Sequence, residues 1–395
     1  MSAAPTDVVV VGAARTPNGR LKGGLATVPA VQLGALAIAA ALARGGVPPE
    51  AVEHVVMGHV LQAGLGQCPA RQAAVAGGLG WDVPATTVSK VCLSGLTAII
   101  DAARMVRAGD AAVVVAGGME SMTNAPHLLT GSRFGYGFGN VTVVDSMAND
   151  GLSDAWSHEA MGLDTDTRIA DYPATRVEQD EIAERSHRLA AQAWDDGIFT
   201  AEVVPVTVTH RKGQTVVDRD EGIRPETTAT TLAGLRPAFR PDGSITAGNA
   251  STVNDGGAAV VLTTRARADA EGWTVLATLR AAAQVAGPSA ALAPQPGNAV
   301  LAALSTQGWA VADLDLLEIN EAFAAVAVHA VRQLGVPLEK VNVHGGAIAL
   351  GHPIGQSGAR LVVHLAHELH RRGGGRAVAA LCGGTGQGDA LLLEA

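Results

Sequence analysis

Apolar runs along the first 116 residues are separated by polar and glycine-rich positions. Short runs with the length of a strand alternate with longer runs with the length of a helix. The Val-rich run Asp7–Val11 is typical of a buried strand, and the Ala/Leu-rich run Val31–Arg44 is typical of a helix that ends at the glycine pair after it. The pattern continues with a strand at Val55–Gly58, a helix at Ala70–Ala76, a helix after Cys92 that runs to Arg107, and a strand at Ala111–Ala116. This order predicts an α/β fold in which helices cover the sheets.

The pattern changes between about residue 118 and residue 248, where charges cluster and Gly, Tyr and Phe mix irregularly. We interpret this stretch as a long insertion with its own helix at Val177–Asp195 and a hairpin near Val203–Val217. The chain is therefore divided into an N-terminal half (residues 1–120 with 249–270), an inserted loop domain (residues 121–248) and a C-terminal half (residues 271–395).

The α/β pattern resumes after residue 248 and repeats that of the first half. The strands Trp273–Gln284 and Leu314–Ile319 correspond to the first two strands of the chain. A helix at Leu361–Arg372 and a strand at Arg376–Leu381 correspond to the helix after Cys92 and the strand that follows it. Two halves with one topology predict that each contributes a reactive group near a pseudo-twofold axis.

Composition narrows the classes of function. The net charge of 28 − 37 = −9 argues against nucleic acid as a partner. Three cysteines provide no disulfide framework, which favours a reducing cytoplasm. No apolar stretch has the length of a membrane span, and the first residues lack the basic flank and apolar core of a signal peptide. We therefore expect a cytoplasmic protein with small-molecule partners.

Cys92 is the first candidate for chemistry. It directly precedes a predicted buried helix, where unpaired N–H groups and the helix dipole favour an anion. This position predicts a lowered thiol pKa and a thiolate nucleophile at neutral pH. A small buried residue with no chemical role is the alternative interpretation.

Three further residues lie in short motifs. His352, between glycine and proline on a loop that leads into a helix, could act as a base toward Cys92 and later donate to a thioester oxygen, or could be a structural residue that caps the helix. Asn320 follows a predicted strand and could orient a water or donate to an oxyanion, or could only cap the predicted helix Ala322–Leu334. Cys382 ends a strand before a glycine-rich turn and could act as acid and base.

A dinucleotide-binding site is the competing interpretation of the glycines at positions 384, 386 and 388. The fingerprint for such a site requires a helix after the glycines, and only seven residues follow Gly388. The turn after the first strand also lacks the second and third glycines. Both departures argue against nucleotide binding of this kind.

In this order, the motifs around Cys92, Asn320, His352 and Cys382 resemble those of the thiolase family. The resemblance spans essentially the whole chain, and further matching stretches are Ala116–Met122, Leu235–Phe239, Thr246–Ser251 and Val341–Ala347. It is strongest to the members that interconvert two acetyl-CoA with acetoacetyl-CoA and CoA. It implies a five-layered αβαβα core of two duplicated halves with an inserted loop domain.

The resemblance also implies roles for these residues. Cys92 is acylated, and His352 activates it and forms one oxyanion hole with a water held by Asn320. The backbone N–H groups of Cys92 and Gly384 form the other oxyanion hole. Cys382 removes a proton from the second acetyl-CoA, or protonates the leaving carbanion in thiolysis. The implied mechanism is ping-pong.

For the substrate, the resemblance implies CoA contacts from Ser251, Arg224 and Thr231, with Met161 in a loop that covers the site. It implies no metal and no tightly bound cofactor, since the CoA thioesters are themselves the substrates. A homotetramer is implied as well, with residues 133–140 in the tetramerisation loop.

Three departures from the usual pattern affect the expected chain length of the substrate. Leu93 replaces a small residue, Ala160 stands where many short-chain members have histidine while His158 lies two positions earlier, and the last motif reads Cys-Gly-Gly-Thr-Gly-Gln-Gly. Bulky Leu93 and Met161 would narrow the acyl tunnel and favour the short-chain activity. A degradative 3-ketoacyl-CoA thiolase of broader chain length is the alternative. A decarboxylating condensing enzyme is disfavoured by Cys382, and a catalytically silent protein by the intact motifs.

Overall fold

The computed structural model describes residues 4–395. The longer strands are β1 (Val8–Arg15), β3 (His54–Gly58), β4 (Ala85–Val88), β5 (Val113–Ser121), β10 (Asn254–Thr264), β11 (Ala277–Ala286), β12 (Leu316–Ile319), β13 (Arg376–Gly383) and β14 (Gln387–Glu394). The others are β2 (Gly19–Arg20), β6 (His127–Leu128), β7 (Val144–Asp145), β8 (Val206–His210) and β9 (Gly213–Val217). The helices are α1 (Ala30–Gly45), α2 (Pro69–Ala76), α3 (Ser94–Ala108), α4 (Met161–Thr167), α5 (Arg176–Asp195), α6 (Ala229–Ala233), α7 (Arg265–Glu271), α8 (Gln295–Gln307), α9 (Ala324–Leu334), α10 (Ala347–Leu350) and α11 (Ser357–Arg372). The predicted α/β fold is confirmed.

The main sheet consists of two similar halves. In the first half, β4, β3 and β5 are parallel, and β10 and β1 continue antiparallel from β5. In the second half, β12 and β13 are parallel, and β14 and β11 continue antiparallel. A parallel bridge from Leu317 to Val341 takes the place of β4. The halves join where Val9 and Val10 of β1 pair with Thr278 and Ala277 of β11. The predicted repeat is therefore present in the structure.

Alternating side chains along these strands divide the molecule into layers. On β1, Val8 and Val10 pack into a central core with α3 and α11, while Val9 packs into an outer core with α1 and α2. On β13, Leu381 faces the same central core, and Val378 packs into a second outer core with α8 and α9. Successive side chains of a strand point to opposite faces of the sheet. Because both faces of these strands are apolar, the sheet must be covered on both sides. The order is helices, sheet, helices, sheet, helices.

The two central helices meet at their N-terminal ends, and glycine makes the approach possible. A Cβ on Gly358 of α11 would lie 2.5 Å from the Leu96 nitrogen of α3, and one on Gly95 would lie 2.9 Å from the Ala359 nitrogen. These distances are too short for any side chain. The contact brings the turn before α3, which carries Cys92, next to the loop before α11, which carries His352.

The inserted segment packs against both halves of the molecule, with α5 against α9 in the second half and β8 and β9 against Leu25, Val28 and Leu33 in the first. Its long helix α5 begins at Thr175, whose side chain forms a capping box with Glu178, and Ile182 and Ala183 pack on α9. The predicted hairpin is the antiparallel pair β8 and β9. Within residues 4–395, no helix has the length and apolar character needed to cross a membrane.

Candidate active site

One apolar cavity of about 350 Å³ brings together most of the residues singled out in the sequence. Its wall includes Cys92, His352, Cys382, Gly384, Met161 and Ser251. Cys92, His352 and Gly384 come from loops at the ends of central elements and Cys382 from the end of β13, which explains how positions some 290 residues apart meet. Asn320 does not line the cavity, but its side chain contacts the ring of His352.

Cys92 lies on a tight turn between β4 and α3. Val91 has a φ of 49°, which is uncommon for a β-branched residue, and the Ser94 hydroxyl donates to the Val91 carbonyl at 2.7 Å. The same hydroxyl accepts from the Lys90 N–H at 2.8 Å. The backbone N–H of Cys92 itself and that of Gly384, in the turn between β13 and β14, point at the Cys92 sulfur. These donors favour negative charge at the sulfur.

The protonation of Cys92 differs from the sequence prediction. Burial raises the pKa of the Cys92 thiol to about 12, because loss of water outweighs the two N–H donors, and repulsion from Glu120 adds to the increase. The expected resting thiolate is therefore wrong. The prediction used only the position of Cys92 before a helix, where the N–H groups favour an anion. It did not include the apolar residues that surround this sulfur, among them Met122 and Ile354. Cys92 rests as a neutral thiol and needs a base.

His352 is held in a form suited to that task. The Ser357 hydroxyl donates to the Pro353 carbonyl at 2.9 Å, so the oxygen that lies 2.6 Å from His352 Nδ1 is an acceptor. The proton is therefore on Nδ1, and Nε2 carries the lone pair. Burial, with the positive charge of Arg360, lowers the pKa of His352 to about 4, which keeps the ring neutral at pH 7. Sequence reasoning missed Ser357, although the hydroxyl five positions after a loop histidine was the available signal.

The loop of His352 is fixed from outside as well. Asn254, on β10, accepts from the His352 backbone N–H at 2.9 Å and donates to the Gly19 carbonyl at 2.8 Å. Its amide fills the space beside Gly351, where an added Cβ would lie 2.6 Å from it and where φ is +94°. Glycine at 351 is required by both conditions.

Asn320 faces His352 and does not cap the helix that follows. Its Nδ2 lies 3.4 Å from His352 Nε2, and its buried Oδ1 has no hydrogen-bond partner within the described residues. The helix begins later than predicted, at Ala324, and Phe323 occupies its N-cap position. The capping interpretation of Asn320 is therefore wrong.

Cys382 belongs to β13 and is buried within an apolar cluster with Met161, Leu292 and Val326. Burial raises the pKa of the Cys382 thiol, and the nearby Cys92 raises it further. The cavity therefore holds two protonated thiols and one neutral imidazole. This set can form a thioester at one sulfur and transfer a proton at the other.

The residues assigned to CoA lie in two places. Ser251 is on the cavity wall, where its hydroxyl donates to the Ala322 carbonyl at 2.8 Å, and Met161 is on the wall at the start of α4. Arg224 and Thr231 are exposed and do not line the cavity. The Thr231 hydroxyl donates to the Thr228 carbonyl at 2.8 Å, as part of the cap of α6.

The residues that depart from the usual thiolase pattern lie at different distances from the cavity. Leu93 is fully buried in the central core, where it packs against Gly383, and it is not on the cavity wall. The expectation that Leu93 narrows the acyl tunnel is therefore wrong. Ala160 lines the cavity beside Met161, and His158 lines an adjoining polar cleft.

The pH dependence of alkylation tests the resting state of Cys92. Because the thiol pKa is raised to about 12, the thiolate fraction should increase about tenfold per pH unit between pH 6 and pH 9. Iodoacetamide modification of the Cys92 peptide, followed by mass spectrometry, should show this rise without a plateau. The exposed Cys68 peptide in the same digest reports the behaviour of a surface thiol. A rate at Cys92 that is constant over this range would indicate a preformed thiolate.

Comparison with known proteins agrees with this geometry. Residues 8–266 match the family description "Thiolase, N-terminal domain", and residues 273–395 match "Thiolase, C-terminal domain". A "Probable acetyl-CoA acetyltransferase" of Mycobacterium leprae is 55% identical over 391 residues, 99% of each chain. An "Acetyl-CoA acetyltransferase" of Chromobacterium violaceum is 49% identical over 98% of this chain and 99% of its own. The crystal structure of the Bacillus anthracis acetyl-CoA acetyltransferase superimposes with a TM-score of 0.96 at 41% identity, with both chains covered completely. The chain therefore belongs to the thiolase family of acyltransferases.

Proposed function

We propose that this chain is an acetyl-CoA C-acetyltransferase, which condenses two acetyl-CoA reversibly to acetoacetyl-CoA and CoA. The observation that carries the proposal is that Cys92, His352 and Cys382 line one apolar cavity. The names of the relatives at 49% and 55% identity support the same activity.

In the first half-reaction, His352 Nε2 takes the Cys92 proton while the sulfur attacks the thioester carbonyl carbon. The carbonyl oxygen becomes an oxyanion, and the backbone N–H groups of Cys92 and Gly384 are the proposed donors to it. The carbon–sulfur bond to CoA then breaks, and His352 returns the proton to the CoA sulfur. CoA leaves, and an acetyl group remains on Cys92, which makes the kinetics ping-pong.

In the second half-reaction, His352 Nε2 takes the Cys382 proton, and the Cys382 thiolate removes a proton from the methyl group of a second acetyl-CoA. The enolate oxygen is held by the Nε2–H of His352 and by a water that Asn320 orients. The carbanion attacks the acetyl carbon on Cys92, and as acetoacetyl-CoA forms the Cys92 sulfur leaves and recovers a proton from His352. In reverse, the protonated Cys382 donates to the leaving carbanion, a role that suits its raised pKa.

For the substrate, we propose that Ser251 and Met161 contact the pantetheine, and that exposed Arg224 and Thr231 bind farther out, toward the nucleotide. CoA thioesters come and go as substrates, so no tightly bound cofactor is involved. We also propose a homotetramer, because residues 133–140 carry Phe134 and Phe138 with 97% and 112% of their surface exposed. A reducing cytoplasm fits a reaction that needs both thiols reduced.

Thiolysis by the purified protein with free CoA tests the proposal. We expect kcat/KM for acetoacetyl-CoA to exceed that for a medium-chain 3-ketoacyl-CoA by about 10-fold or more, because Met161 closes part of the cavity wall. Met161→Ala should reduce this preference. Leu93→Val is the matched control, since Leu93 lies off the wall, and it should leave the preference unchanged.

The degradative 3-ketoacyl-CoA thiolase remains the second candidate for a specific reason. Of the two bulky residues that favoured a short acyl group, Leu93 does not reach the cavity. Equal or better use of the medium-chain substrate would replace the proposed function with this one. Absence of turnover with either substrate would contradict both.

A further inference from the structure

A buried carboxylate that the mechanism leaves unused lies beneath the catalytic loop. Glu120, near the end of β5, is fully buried. Its two oxygens accept three backbone N–H groups, from Val60 at 3.1 Å, from Leu61 at 3.2 Å and from Gly355 at 3.0 Å. Burial of a carboxylate costs free energy unless the oxygens are hydrogen-bonded, and these three N–H groups supply the bonds. In doing so they tie three segments of backbone to one side chain.

The three segments belong to different parts of the site. Val60 and Leu61 follow β3 in the first half, and Gly355 lies three residues after His352 in the second half. The contact at Gly355 is very close, because an added Cβ there would lie 2.7 Å from Glu120 Oε2. A Cβ on Gly118, also on β5, would lie 2.0 Å from the Gly355 carbonyl oxygen. Glu120 therefore joins the loop of His352 to the half that carries Cys92.

Glu120 also acts on Cys92 through charge. It is the charged side chain that raises the pKa of the Cys92 thiol beyond the effect of burial. Four other titratable groups lie near these two: His352 and Cys382 line the cavity with Cys92, His59 Nε2 is 3.2 Å from Glu120 Oε1, and Asp255 on β10 is close enough that the charge of Glu120 contributes to its raised pKa. None of them is an alternative anchor for Gly355, whose N–H donates to Glu120.

We propose that Glu120 is a positioning residue of this reaction: its carboxylate fixes the loop of His352 against the half that carries Cys92. Its charge also opposes ionisation of the Cys92 thiol, so the proton stays in place until His352 removes it. The inference rests on the proposed function, in which Cys92 is the nucleophile. It assigns to Glu120 no contact with substrate. The anchor and the charge are separable. Glutamine loses the charge but keeps one acceptor oxygen for the N–H groups of Val60 and Gly355, which share Glu120 Oε2, whereas aspartate keeps the charge with a shorter reach.

The test measures alkylation of Cys92 and thiolysis in three variants. In Glu120→Gln, loss of the negative charge should raise the rate of Cys92 alkylation at pH 7 about tenfold and shift the pH profile toward lower pH. In Glu120→Asp, the alkylation profile should stay close to the wild type, while kcat falls about tenfold or more with little change in KM, because Gly355 loses its anchor. Asp255→Asn is the control, a buried carboxylate on neighbouring β10 that accepts from Ser121 and Thr123.

The outcomes are distinct. Asp255→Asn should leave the Cys92 alkylation profile unchanged, and an equal shift in it and in Glu120→Gln would overturn the proposal, because the effect would then belong to any lost buried charge. A Glu120→Gln profile that overlays the wild type would also overturn it. If Glu120→Gln does not fold, a wild-type kcat in Glu120→Asp would by itself overturn the claim that Glu120 anchors the loop of His352. Alkylation needs no turnover, so a failure of the acetyltransferase assignment would be seen separately, in the wild-type enzyme.

Discussion

Cys92→Ala is expected to abolish thiolysis of acetoacetyl-CoA, with kcat reduced by at least about 10⁴-fold. The reason is that the alanine methyl group cannot form the acyl intermediate on which both half-reactions depend. The other thiol of the cavity, Cys382, lies on β13 and does not take the position of Cys92. Steady-state thiolysis gives the rate, and the mass of the intact protein after incubation with acetyl-CoA shows whether an acetyl group is attached. The variant should gain none.

Cys68→Ala is the matched control for loss of a thiol. Cys68 is exposed, lies at the start of α2 and has no place on the cavity wall, so its loss should leave the rate and the acetylation unchanged. If Cys68→Ala lost activity while Cys92→Ala kept it, the nucleophile would be reassigned. If both variants were acetylated at full stoichiometry, neither cysteine would be the acyl carrier.

The sequence was sufficient for the elements and their duplication, because these depend on local periodicity. The valines of β1 and the alanine-rich α1 carry their signals within a few residues, and the second half repeats them. The ends were less accurate: α9 begins at Ala324 because Phe323 takes the N-cap position, and this shift decides that Asn320 is free to face His352.

The sequence identified the cavity residues that lie in distinctive short motifs. It missed the residues that contact the site from distant positions in the chain. Cys92 and His352 have distinctive neighbours in sequence, whereas Glu120 meets Gly355 across 235 positions and Asn254 meets His352 across 98. No local pattern marks such a pair. The protonation of Cys92 failed for a related reason, because the helix N-terminus is a local feature while the burial that outweighs it comes from packing of distant segments.

Cys382→Ala should separate the two half-reactions. Attachment of an acetyl group to Cys92 requires Cys92, His352 and the oxyanion donors, so intact-protein mass spectrometry should still show one acetyl group per chain. Condensation and thiolysis require proton transfer at carbon, and we expect both to fall by about 10²- to 10⁴-fold, the range for loss of a general acid–base group. Exchange of label between acetyl-CoA and free CoA measures the first half-reaction, and formation of acetoacetyl-CoA measures the second.

The ratio of the two rates carries the argument, because loss of packing could slow both. Leu292→Ala removes a larger side chain from the same apolar cluster and from the same cavity wall, but it removes no titratable group. It should reduce exchange and condensation by similar factors, whereas Cys382→Ala should reduce condensation alone. The raised pKa of Cys382 keeps its S–H form populated at neutral pH, so the proton is available for the carbanion in thiolysis, whereas in synthesis the thiol must first be deprotonated. Normal condensation by Cys382→Ala would move the proton transfer at carbon to another group, and His352 would then be the group to test.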